Sequence, residues 1–243
     1  MLQLQHVRFI VWMKMSPKVL AIIPAYNEQE CLESTVEEFK SFLPSIDFIV
    51  INDGSTDDTK YICERLGYPH IDLPVNSGLA IGFQVGMKYA YQQGYDYAIQ
   101  YDADGQHTPD SLPRMLHMIQ QDGLDIVIGS RFVTESKDYS ARMVGSRLIT
   151  LLIKLTTGKR IDDPTSGLRM FNRAMIKKYA FDNMLNPEPE SLAYLVRRGV
   201  KIGEVQVSMR ERIGGESYLN LAKSISYMVR TLTSILFVQW FRR

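Results

Sequence analysis

Asp102-Ala103-Asp104-Gly105-Gln106-His107 sets two carboxylates one residue apart directly after a short apolar run, Tyr97 to Tyr101. Alternate residues of an extended segment point the same way, so Asp102 and Asp104 can aim both carboxylates at one point where the run ends. Hard oxygens converging there suit Mg²⁺ or Mn²⁺, which takes one or two carboxylates, keeps waters and binds substrate phosphates. A plainer reading is that the two aspartates only end a strand, with Thr108 capping a helix opened by Pro109 and Asp110. A D-x-D does not choose between these by itself. The segments that position it do.

Val19-Leu20-Ala21-Ile22-Ile23, halted by Pro24, reads as a strand buried on both faces. A helix to about Leu43 follows, with Leu32, Val36 and Phe39 on one face. Phe48 to Ile51 is the next strand, and the Asn52–Thr59 cluster of hydroxyls and carboxylates caps a helix to about Leu66. Ile71 to Leu73, a helix ending near Gly94, Tyr97 to Tyr101, a helix over Pro109 to Gln121, and Ile126 to Gly129 continue the alternation. Such regularity predicts βαβ units and a mostly parallel sheet. Ligands of such sheets sit beyond the carboxyl ends of the strands where the strand order reverses. Glu28, Asp53, Asn76 and the Asp102/Asp104 pair all lie at such ends and can share one crevice.

After Arg131 the pattern loosens. Val144 to Leu155 is apolar nearly all round but shorter than the ~20 residues of a membrane span, which leaves core packing and a membrane-surface role as equal readings. Asp162 to Arg169 is a turn-rich loop, Glu190 to Arg198 a helix, Val205 to Met209 a last strand, and a terminal helix closes the chain.

Composition fits this picture. The 243 residues suffice for a sizeable core, and 28 Lys/Arg against 27 Asp/Glu with no long basic run argue against a nucleic-acid partner. Cys31 and Cys63 show no ligand spacing and read as free, half-buried thiols of a reducing cytoplasm. Residues 1–17 read as an N-terminal extension whose apolar patch, Phe9 to Met13, lacks the h-region of a signal peptide, with Met15 an alternative start. The main domain then covers 18–218, and 219–243 form an appended helix.

The motifs occur in the order IPAYNE, NDGSTDDT, DADGQH, GSR, DPTSGLRMF and RIGGES. This series resembles the family 2 glycosyltransferases of GT-A fold, in particular those similar to dolichol-phosphate mannosyltransferase and bacterial polyprenyl-phosphate glycosyltransferases. The likeness runs from about Lys18 to Ser217. It implies that Pro24, Ala25, Tyr26, Glu28 and Asp53, with Asp102 and Ala103, hold the nucleoside-diphosphate sugar. It also implies that Asp102, Asp104 and Gln106 carry Mg²⁺ or Mn²⁺, and that Asp104, Arg131 and Arg212 act in catalysis, the arginines by gripping phosphates through their planar fork. Arg169 and Arg210 read as surface residues. Ser217 is followed by Tyr218 where the relatives have lysine, so one phosphate-facing charge is missing.

The implied reaction is an inverting transfer of a hexose-type sugar to a polyprenyl phosphate at the cytoplasmic membrane face. Its rivals are extension of a cell-surface polysaccharide and non-catalytic binding of the nucleotide sugar. A sugar hydroxyl would need a general base, for which Asp162, Asp163, Glu188 and Glu190 are the nearby carboxylates, although the two glutamates also suit the first turn of a helix. Ile225, Met228, Val229, Leu232, Ile235, Leu236 and Trp240 recur on one helical face. The expected partner of that face is the membrane interface, which makes the chain a peripheral membrane protein. Packing on the sheet, a second protomer or a membrane protein is the alternative.

Overall fold

The computed structural model describes residues 17–135, 141–210 and 221–237. Seven strands form one sheet: β1 (Val19–Ala25), β2 (Asp47–Asn52), β3 (His70–Asp72), β4 (Tyr97–Gln100), β5 (Ile126–Ser130), β6 (Arg169–Asn172) and β7 (Ile202–Gln206). They lie in the order β3-β2-β1-β4-β6-β5-β7. Every pairing is parallel except the two made by β6, which runs antiparallel between β4 and β5. The helices are α1 (Leu32–Phe42), α2 (Thr59–Leu66), α3 (Leu79–Gln92), α4 (Leu112–Gln121), α5 (Ala141–Thr157), α6 (Arg173–Phe181), α7 (Pro189–Arg197) and α8 (Leu221–Leu236).

The sheet divides the core in two because successive strand residues face opposite ways. Leu20 and Ile22 of β1, Ile49 and Ile51 of β2, and Ile126 and Ile128 of β5 pack with α3, α6 and α7. Ala21 and Ile23, Val50 and Val127 pack instead with α1 and α4 through Leu32, Val36, Phe39, Leu112, Met115 and Ile119. The expected helical stripe of α1 is thus its buried face, and the mostly parallel α/β class is observed. Cys31 and Cys63 are fully buried rather than half-buried, and burial raises the Cys63 thiol to about 11.

The departures lie in the second half. The stretch expected to be loop before Arg169 leads into β6 and then α6, neither of which the hydrophobic pattern announced. The last strand is Ile202–Gln206, earlier than expected, because Ile126 to Ser130 register against it. Helix α5 is longer than its apolar segment and is only partly core: Ile149 and Ile153 are fully buried, whereas Val144, Leu148, Leu151 and Leu155 are exposed. Helix α8 packs on α5 and α7. Ile235 is buried, Met228 and Leu232 lie against the core, and Val229 and Leu236 of the same expected face point outward. Among the described residues, no helix is long and apolar enough to cross a membrane.

Candidate active site

From β1 the chain adds β2 and β3 on one side and then crosses to β4 on the other, so the strand order reverses between β1 and β4. A crevice is expected beyond their carboxyl ends, and this is where Ala25 and Gln100 lead into Tyr26–Glu28 and Asp102–Asp104.

The wall on the β1 side is two loops laced together. Asn27, at φ 54°, accepts from the Thr56 amide (2.8 Å) through Oδ1 and donates its own amide to Ser55 Oγ (3.0 Å). The Glu28 amide reaches Thr59 Oγ1 (2.9 Å), and Gln29 exchanges bonds with Asp57 and Asp58. Asparagine tolerates the left-handed region better than other residues with a side chain, so the NE pair both turns the chain and ties it down. Pro24, Tyr26 and Glu28 are half-buried on this wall, and Ala25 is buried. Asp53 is buried with both carboxylate oxygens accepting backbone amides, Ser77 at 2.8 Å and Gly78 at 2.7 Å. It thereby fixes the turn that starts α3. Gly54 beside it sits at φ +67°, where a Cβ would lie 2.4 Å from the Val75 backbone; only glycine fits there.

Opposite this wall, Ala103 is the pivot of the D-A-D segment. Its side chain lies in the core and its carbonyl accepts from Thr35 Oγ1 (3.0 Å). Asp102 and Asp104 are the half-buried residues on either side; β4 ends at Gln100 and Ala103 and Asp104 lie in a turn, so the segment is not the extended one the alternation argument assumed, and the methyl of Ala103 is directed into the core instead of toward a ligand. Asp102 Oδ2 is 3.5 Å from Nε2 of the buried His107. Burial pushes the Asp102 carboxyl up, but His107, the Gln100 amide and the Arg169 charge outweigh it and hold the group below its ordinary value. Asp104 Oδ1 accepts from the Gln106 amide (3.1 Å). Gln106 turns its side-chain nitrogen toward the Arg210 carbonyl (3.4 Å), and its own carbonyl accepts from the Arg210 amide (2.9 Å). Residues 209–210, beyond the end of β7, are thus laid against the D-x-D loop, with Met209 bridging to His107. Arg212, two residues further, lies outside the described residues; Arg210 is a surface residue, as expected, paired with Glu38.

Arg131, at the end of β5, is held side-on by Asp163: Nε to Oδ2 at 2.6 Å and Nη2 to Oδ1 at 2.8 Å, with the Arg131 amide also on Oδ2 at 3.1 Å. Burial raises the Asp163 carboxyl, but the Arg131 charge and hydrogen bonds prevail and keep it below the usual carboxylate range. Asp163 is itself placed by Glu204 of β7, whose two oxygens accept the amides of Asp162 (2.7 Å) and Asp163 (2.9 Å). A side-on carboxylate uses Nε and one edge of the guanidinium, and Nη2 also reaches Thr165 Oγ1 (3.3 Å), so Nη1 is the end that points away from the clamp.

The carboxylates read as base candidates are otherwise engaged. Asp163 is the arginine's counter-ion, Asp162 pairs with Arg160 (2.6 Å), and Glu188 and Glu190 lie at the start of α7. Glu190, raised by burial, lines a hollow shared with Arg230, Thr233 and Ser234 of α8, none of which belongs to the crevice.

Two residues of the site escaped the sequence reading. Arg169, read as a surface residue, is fully buried; it donates from Nε to the Ser166 carbonyl and from Nη2 to the Pro164 carbonyl, both at 2.9 Å. It staples the loop that carries Asp163. Gly167 in the same loop packs so closely on Asp102 that a Cβ would lie 2.3 Å from Oδ2. The available signal was a charged residue set between Leu168, Met170 and Phe171, since an arginine in a strand buried on both faces must find partners.

Paired carboxylates and a clamped arginine thus stand together at the strand ends of an α/β domain, at the switch point of its mostly parallel sheet. Solved structures share this GT-A architecture: glucosyl-3-phosphoglycerate synthase from Mycobacterium tuberculosis, in complex with Mn²⁺, uridine diphosphate and glucosyl-3-phosphoglycerate, matches with a TM-score of 0.66 at 19% identity, over 92% of this chain and 80% of that one. The family model "Glycosyl transferase family 2" matches residues 20–180, and the chain belongs to that family. Curated relatives include the undecaprenyl-phosphate mannosyltransferase of Micrococcus luteus, 29% identical over 84% of this chain and 88% of its own. The polyprenol monophosphomannose synthase of Mycolicibacterium smegmatis is 28% identical over 84% and 81%. The undecaprenyl-phosphate 4-deoxy-4-formamido-L-arabinose transferase of Serratia proteamaculans is 30% identical over 90% and 68%.

Proposed function

We propose that this glycosyltransferase moves a hexose-type sugar from a nucleoside-diphosphate sugar to a polyprenyl phosphate, with inversion, at the cytoplasmic face of a membrane. The observation that carries the reading is the meeting at one strand-end crevice of the Asp102/Asp104 pair with the loop that clamps Arg131. Three curated relatives named as transferases or synthases acting on a polyprenyl or undecaprenyl phosphate support the acceptor class.

Among the described residues no three His, Cys, Asp or Glu side chains converge, so a divalent ion would rest on two carboxylates, the side-chain oxygen Oε1 of Gln106 and ligands from the donor. That all-oxygen set fits Mg²⁺ or Mn²⁺. Once bound, the ion would neutralise the charge growing on the departing diphosphate. The laced loops at Tyr26–Glu28 and Asp53–Thr59 would form the nucleotide wall. The outward end of the Arg131 guanidinium would orient a phosphate, and Arg212 would supply a second positive charge. A phosphate acceptor is already an anion near neutral pH: its oxygen forms the new bond to the anomeric carbon, the bond to the diphosphate breaks with its electron pair, and no general base is required. This agrees with the engagement of Asp163 and Glu190 elsewhere.

The test is transfer from radiolabelled UDP- and GDP-hexoses to a short, water-soluble polyprenyl phosphate. We expect turnover that chelator abolishes and that Asp104→Asn lowers by at least ~100-fold, the usual scale for removing one transition-state stabiliser. Undiminished turnover in excess chelator would remove the metal from the reading, and transfer to a glycan hydroxyl but never to the phosphate would replace the acceptor.

A further inference from the structure

Helix α5 is the least explained part of the fold. Val144 (55%), Leu148 (41%), Leu151 (50%) and Leu155 (71%) are large, apolar and exposed. At 3.6 residues per turn they fall within an arc of about 60°, opposite the buried Ile149 and Ile153. One edge of this stripe borders α8: a Cβ on Gly145 would lie 2.8 Å from the Met228 methyl. Val229 and Leu236 extend the exposed apolar surface onto that helix. The other edge is cationic, with Arg147 and Lys154 about 40–60° further round α5.

Charge supplies the occupant. Helices α5 and α8 carry Arg142, Arg147, Lys154, Lys223 and Arg230 and not one Asp or Glu, although the whole chain is balanced at 28 basic to 27 acidic residues. Apolar side chains bordered by cations, without acids, are what an anionic bilayer surface attracts: the leucines enter the acyl boundary while the cations meet lipid phosphates. The stripe also leads somewhere. Arg147, Leu151 and Lys154 line a hollow of about 390 Å³ together with Phe132, the residue after Arg131, and Asp162, the residue before Asp163. Two of its other lining residues are Arg160, paired with Asp162, and Glu135, so cations outnumber carboxylates three to two.

We infer that the exposed face of α5, continued by α8, docks on an anionic lipid bilayer and sets the hollow beside the Arg131–Asp163 pair against the membrane surface. The C-terminal helix is then one border of the docking face, and an internal helix of the catalytic domain is its centre. This rests on the polyprenyl-phosphate reading for the purpose of the hollow, while the docking itself can be measured without turnover.

The experiment is co-sedimentation of the full chain with vesicles of phosphatidylcholine containing about one-third phosphatidylglycerol, and with phosphatidylcholine alone. We expect binding to the anionic vesicles that weakens with salt, and at least a tenfold loss of partitioning in both L148E/L155E and R147E/K154E, since each removes one of the two contributions. L148E/L155E changes exposed residues and should retain its thermal midpoint and its turnover of the short, soluble acceptor. Unchanged vesicle binding in both variants would overturn the inference. So would a wild-type dimer in analytical ultracentrifugation that L148E/L155E converts to monomer without any vesicle binding, because the face would then be occupied by a second copy. Vesicle binding that follows these expectations while no acceptor is glycosylated would overturn the functional reading and leave the docking face standing.

Discussion

Replacing Asp163 by asparagine keeps the shape of the side chain and removes its charge, so no cavity confuses the result. Four hydrogen bonds converge on that carboxylate: the amide, Nε and Nη2 of Arg131, and Thr165 Oγ1 at 3.1 Å. The asparagine keeps one acceptor oxygen and turns an NH₂ toward a guanidinium that can only donate. Breaking a buried pair by removing one partner costs about 3–5 kcal/mol. The Asp163 side chain is fully buried and that of Arg131 is 18% exposed, so the arginine retains some water and the cost drops to or just below the bottom of that range, about 2–3 kcal/mol. With a urea slope of about 3 kcal/mol/M for a domain of this size, the midpoint should fall by about 0.7–1 M. The loss should depend on pH in a definite sense. The Asp163 carboxyl is held below its ordinary value, so its contribution is fully present above the unfolded pKa of about 4 and disappears as pH falls through the folded value. The gap between wild type and variant should therefore begin to close as pH falls below about 4 and vanish once pH has passed the lower, folded value. A midpoint shift under about 0.2 M at neutral pH, or a gap that stays constant into acid, would refute the clamp.

Gly167→Ala should bring a methyl against Asp102 Oδ2 and displace the carboxylate; the expected result is a rise of at least ~10-fold in the divalent-ion concentration needed for half-maximal turnover, with near-normal stability. An unchanged metal dependence would show that the loop yields instead. Arg169→Met should leave the Pro164 and Ser166 carbonyls without donors and destabilise the chain by about 2–4 kcal/mol. Denaturant titration measures this, and a neutral outcome would return Arg169 to the status of a replaceable filler.

The first half of the fold was legible because its units are regular. Four short strands, each followed by a polar loop and a helix, and a fifth apolar one at Ile126 point to a mostly parallel sheet, and the end of the fourth marked the place of Asp102 and Asp104. The second half was not legible, because β6 occupies only four residues, includes a charged one, and follows a loop dense in turn formers. Its strand character comes from pairing on both sides with β4 and β5, a tertiary cause that local pattern does not carry. The same reason hid the site's supports. Arg131 is recognisable by type, but its clamp comes from Asp163 in that loop, and the loop's anchors come from β6 and β7. The conflict over Glu190 has the same origin: an acid in the first turn of a helix usually faces water, whereas here α8 closes over it.

The place of β6 in the sheet has a consequence for how the chain is made. Strands β1 to β4 can assemble among themselves as soon as residue 100 has left the ribosome, since β1, β2 and β3 find all their partners within this set and β4 finds one of its two, β1. β5 cannot. Both of its neighbours, β6 and β7, follow it in sequence, and all five of its residues are buried in the finished protein. Between Ser130 and Arg169 lie about 40 residues, which at about 5–20 residues per second is a delay of seconds. Throughout it Ile126-Val127-Ile128 is a finished apolar strand with two open edges, and the last edge of β4 is open beside it. Nascent chains are therefore most exposed to edge-to-edge association in this interval, and a chaperone acting on this protein during synthesis has its clearest task there.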